Sequence, residues 1–102
     1  MSWYGYVLEF LAGMFLGNGV PHFVHGVSGA PFQSPFAKPP GVGESSAVVN
    51  VVWGFGNFVA GFLLLHYFWP SDAAGWVLTG VGALAISVML ALHFGKVRTG
   101  ES

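Results

Sequence analysis

A chain of 102 residues that is 54% hydrophobic and 7% charged cannot cover its own surface in water, where a soluble domain carries about a quarter charged residues. Its net charge of −1 gives no reason to expect nucleic acid as a partner. The absence of cysteine excludes disulfides, thiolate metal sites and a Cys nucleophile. A mean hydropathy of +0.67 instead points to one polytopic unit over residues 1–102, with the lipid bilayer as its surroundings.

The opening MSWYGYVLEF has no basic n-region, so its apolar segment is expected to stay as a membrane span rather than be removed as a signal peptide. That first span is expected over residues 3–20, with Trp3, Tyr4 and Tyr6 at the interface and Glu9 as its one charge. Gly5, Glu9, Gly13 and Gly17 recur every fourth residue. Gly13-xxx-Gly17 is a GxxxG pair of the kind that lets helix backbones touch. Pro21 is expected to end or kink the helix.

Residues 21–46, PHFVHGVSGAPFQSPFAKPPGVGESS, carry turn-forming Pro, Gly and Ser with no sustained period. Phe23, Phe32 and Phe36 argue against a disordered tract, which would be poor in aromatics. The expectation is a long ordered Pro/Gly-rich loop lying at the membrane surface or folding back into the protein, with Ser45–Ser46 capping the next helix.

The second span, residues 47–69, has no Asp, Glu, Lys or Arg and is long enough to cross about 30 Å of hydrocarbon. On a helical wheel Asn50, Gly54, Asn57 and Gly61 fall within an arc of roughly 60°, so one face is polar and small. His66 closes the span within an aromatic belt. The turn PSDAAG then predicts that spans two and three are antiparallel neighbours. The third span, residues 76–94, continues a small-residue stripe from Gly75 through Thr79, Ala83, Ser87 and Ala91. The fold class predicted is therefore an all-α integral membrane protein with three transmembrane helices.

Three basic residues set the orientation. Lys38 in the first loop and Lys96 and Arg98 after the third span lie on one side, and Asp72 on the other. The positive-inside rule then places the N-terminus outside and the C-terminus in the cytoplasm, in a cell (inner) membrane.

An acid inside a span needs a partner or water, so Glu9 is a candidate proton or cation site, with Thr79 and His66 within reach. Asn50 and Asn57 could line a polar path or tie helices together by hydrogen bonds of about 1 kcal/mol each. His22, His25 and His93 share a side and offer three imidazoles to a metal; with His66 they are also candidates for proton relay. The serines show no nucleophile elbow or paired acid, and the glycines form no phosphate loop, so enzymatic chemistry gains little support. The small-residue positions Gly5, Gly13, Gly17, Gly54, Gly61, Ala83 and Ser87 are assigned to helix packing. Their number predicts a homo-oligomer or a subunit of a larger membrane complex. The leading functional expectation is a channel or transporter for a small ion or polar solute, lined by Glu9, Asn50, Asn57 and Thr79. The alternatives are a non-catalytic accessory or scaffold subunit, and a membrane-embedded enzyme using the histidines and a metal.

Overall fold

The structure, a computed structural model, describes residues 2–100. In chain order it contains α1 (Trp3–Val27), β1 (Phe32–Gln33), β2 (Glu44–Ser45), α2 (Ala47–Tyr67) and α3 (Ala73–Thr99). All three helices are long and apolar enough to cross a membrane. Ser46 caps α2 by accepting from the Val49 N–H at 3.2 Å, and Asp72 caps α3 by accepting from the Gly75 N–H at 2.9 Å. Gly100, at φ 79°, ends α3 in the left-handed conformation that favours glycine.

The interior is the reverse of a water-soluble core. Among the described residues the buried hydrophobic side chains are Ala12 and Phe32, whereas Glu9, His22, Gln33, Ser34, Asn50 and Asn57 are buried polar ones. Large apolar residues such as Val52, Phe62, Leu84 and Leu92 face outward. Lipid tails are as apolar as Leu, so nothing drives these residues inside. Of the buried polar side chains, His22, Ser34, Asn50 and Asn57 find hydrogen-bond partners within the chain.

Two expectations about the helices need correction. Pro21 does not end α1, which continues to Val27 and shortens the following connection to residues 28–46. Proline removes one backbone bond, to the Gly17 carbonyl. Packing beyond that point holds the helix together: a Cβ at Gly26 would lie 2.7 Å from the Ala47 carbonyl oxygen of α2, and His22 bonds Asn50. Second, α2 and α3 follow one another across a short turn but are not packing neighbours. Both pack on α1, which lies between them.

The sequence of α1 explains this, because it presents small residues on two faces. Towards α2, Ala12 meets Gly61, Gly19 meets Gly54, and Gly26 meets Ala47. Those positions advance by seven on α1 and recede by seven on α2, the repeat of an antiparallel coiled-coil seam. Towards α3, Gly13 lies on the Thr79 carbonyl and beside Ala83, Gly17 lies against Ala83 and Ile86, and Gly82 lies on the Phe10 carbonyl. Here both partners use the four-residue small-xxx-small spacing. The stripes on the first and third spans therefore face each other within one chain.

Residues 28–46 fold back over the end of α1. Phe32 pairs with Ser45 and Gln33 with Glu44 in an antiparallel ladder. The intervening turn is closed by Gly41 N–H to Ser34 O at 2.8 Å and by a Ser34–Ser45 hydroxyl bond of 2.6 Å. Phe32 is the plug of this lid. Its ring stacks on His25 at 4.2 Å and meets Phe94 edge-on at 4.7 Å.

Candidate functional site

Two polar clusters occupy opposite ends of the bundle. At the end where α1 begins, Glu9 is fully enclosed, and among the described residues neither carboxylate oxygen has a hydrogen-bond partner. A helical side chain leans towards its own N-terminus. The carboxylate accordingly reaches Gly75 beside the α2–α3 turn. A Cβ built at Gly75 would lie 2.5 Å from Glu9 Oε1 and 2.9 Å from Pro70 Cβ, so glycine makes the room that the acid occupies. Thr79 and His66 are not its partners. Thr79 donates to the Gly75 carbonyl on its own helix at 3.0 Å, and His66 is exposed with its ring against Tyr67.

Just above Glu9, the Tyr6 hydroxyl donates to Asp72 Oδ2 at 2.5 Å, tying the start of α1 to the turn. This bond, and after it the Gly75 N–H, hold the Asp72 carboxyl below the usual carboxylate range.

The second cluster joins α1, α2 and the lid. Asn18 donates to Asn57 Oδ1 at 2.9 Å, and Asn57 donates to the Trp53 carbonyl at 2.9 Å. Asn50, fully buried, directs its Nδ2 at the carbonyls of Phe32, Ser45 and Ser46, each 3.1 Å away. Only an amide N–H₂ suits three carbonyl oxygens, so the Asn50 oxygen accepts, and the His22 Nδ1 facing it at 2.8 Å is the donor. By the same logic His93 donates through Nε2 to the Gly41 carbonyl at 2.7 Å.

The candidate residues are thus separated into groups. Glu9 and Asn18 lie nine positions apart on α1, about 180° round the helix, so Glu9 and the Asn50/Asn57 face line no common route within one chain. The histidines are dispersed too. His22 faces Asn50, His25 stacks on Phe32, His93 holds Gly41, and His66 is exposed near the C-terminal end of α2. Among the described residues no group of three or more His, Asp or Glu side chains gathers as a metal site would require. Of the packing positions, Gly5, Gly13, Gly54 and Gly61 are buried and Gly17 and Ala83 half-buried, while Ser87 is exposed and bonds the Ala83 carbonyl at 2.7 Å.

Asn18 and Trp53 were not foreseen as site residues. Asn18 could have been: it is the lone amide of the first span, one helical turn before His22. Trp53 gave no such signal, since a tryptophan in an apolar span reads as lipid-facing. Comparison with protein-family models, with curated proteins and with solved structures finds no match to this chain.

Proposed function

We propose that the protein is a small membrane channel or transporter for an ion or polar solute, in which Glu9 is the proton- or cation-binding group. One observation carries the reading: a fully enclosed carboxylate, with no donor to either oxygen among the described residues, sits inside an apolar span. Such a group needs a proton or a cation to balance it, and intramembrane acids mark ion paths for that reason. Tyr6 and Asp72 supply the polar mouth above it. Asn50 and Asn57 act as ties between helices, because their hydrogen bonds are already made inside the chain. Since α1 itself fills the space between α2 and α3, the route is completed by a second copy in a homo-oligomer. The chain lies in a cell membrane with the C-terminus in the cytoplasm. The Gly41–His93 bond supports this topology, because it keeps the Lys38 turn at the Lys96 and Arg98 end.

Two measurements test the proposal. Glu9→Gln keeps shape and removes charge. In proteoliposomes it is expected to assemble as wild type does and to lose proton or monovalent-cation flux by about tenfold or more. Equal flux in both proteins, or none in either at confirmed incorporation, would overturn the transport role. The second result would leave the accessory subunit of a larger membrane complex as the favoured reading. For topology, labels at Lys38 and Lys96 are expected to react from the same side and a label at Asp72 from the other. Reaction of all three from one side would break the three-span arrangement.

A further inference from the structure

Two cavities adjoin on one face of α1, flanked by α2 on one side and α3 on the other. The first, about 230 Å³, is roofed by the lid and lined by His22, Gln33, Trp53, His93 and Phe94 among others. The second, about 260 Å³, runs towards the bundle centre past Leu11, Met14, Phe15 and Ile86. Asn18 and Trp53 line both. The pair therefore reads as one polar chamber opening onto one apolar channel.

The chamber has an unused hydrogen-bond acceptor. Because His22 Nδ1 carries its proton towards Asn50, Nε2 of the neutral ring is a bare lone pair. Among the described residues no group bonds it. It is also not among the enclosed atoms left unsatisfied, so it faces open space, and His22 lines the chamber. The surrounding walls are flat. Trp53 and Phe94 each meet the His22 ring edge-on with centroids 6.4 Å away. No Asp, Glu, Lys or Arg lines either cavity, which disfavours a charged head group, since it would be left without a counter-ion in an apolar surround.

We propose that this paired cavity binds a neutral amphiphile with a planar, hydroxyl-bearing head and a hydrocarbon tail, of the alkylphenol or quinol kind. The head hydroxyl donates to His22 Nε2 between the aromatic walls, and the tail lies along Met14, Phe15 and Ile86. The site is on the opposite face of α1 from Glu9 and stands whether or not Glu9 carries ions.

The probe is 4-octylphenol, set against octylbenzene, which has the same ring and tail but no hydroxyl. Binding is read on the full chain in nanodiscs from the ¹⁵N resonance of His22 Nε2, which moves upfield when the lone pair accepts a hydrogen bond. The phenol is expected to move it saturably, at one site per chain, and octylbenzene is expected not to. His22→Asn keeps a donor for Asn50 but leaves no acceptor at the Nε2 position, since its amide oxygen lies closer to the backbone, and is expected to weaken the phenol about tenfold, as followed by tryptophan fluorescence. Ile86→Trp fills the tail channel without touching the hydrogen bonds, and is expected to weaken the phenol with His22 intact. A His22 resonance that does not move, equal responses to both probes, or undiminished binding in both variants would overturn the assignment.

Discussion

Gly13→Leu is expected to detach α3 from α1 and to lower the thermal midpoint in detergent by roughly 10 °C or more. Any Cβ at this position would overlap the Thr79 carbonyl oxygen and crowd the Ala83 nitrogen, both of them backbone atoms that cannot swing aside. Overpacking even a side-chain core costs about 1–3 kcal/mol, and here the helix axes themselves must separate. The loss is large because α3 packs against α1 and has no seam with α2 to hold it in place. Gly80→Ala is the control. It lies on α3 with nothing within 4 Å of its Cβ position, and alanine is the better helix former, so no loss is expected. Equal midpoints for Gly13→Leu and wild type would show that the α1–α3 seam is not what holds the bundle. A change confined to oligomer mass, with the midpoint unchanged, would show that the Gly13 stripe faces another copy instead.

The three apolar helices were legible because composition and length alone decide them. The polar arc of α2 was legible for an equally simple reason. A helical wheel needs only local geometry, and Asn50, Gly54, Asn57 and Gly61 are the buried residues of that helix. What could not be read was how the faces pair. A four-residue stripe on α1 was visible, but the α2 seam uses positions 12, 19 and 26, a seven-residue step that becomes apparent only beside 61, 54 and 47. The short PSDAAG turn suggested that α2 and α3 pack together, but the second face of α1 draws α2 onto α1 instead. Pro21 misled for a different reason. Its local preference is real, yet Gly26 and His22, later in sequence, hold the last turn against α2. Thr79 and His66 were expected within reach of Glu9, but the side chain leans towards its own N-terminus and meets Gly75 instead.

Asn50→Asp is expected to be the most damaging near-isosteric change in the protein, lowering stability by on the order of 3–5 kcal/mol, well beyond the usual effect of a point mutation. The substitution exchanges one N–H₂ for one oxygen. That oxygen would then face the carbonyls of Phe32, Ser45 and Ser46, replacing three attractive contacts by repulsive ones. Asn50 has no exposed surface, so water cannot take over the lost bonds. The damage spreads through the lid, because Phe32 and Ser45 form the rung that closes it and Phe32 seals His25 and Phe94. Loss of hydrogen-exchange protection should therefore concentrate at the Ser34 and Gly41 amides before it reaches the centre of α1. Asn57→Asp provides the comparison. Its oxygen Oδ1 still accepts from Asn18, and only the bond to the Trp53 carbonyl is lost, so a smaller effect of about 1–2 kcal/mol is expected. The measurement is denaturant unfolding of both variants with amide exchange read residue by residue. If Asn50→Asp unfolds no earlier than Asn57→Asp, or leaves the lid amides protected, then Asn50 is not the residue that fastens residues 28–46 to the helices.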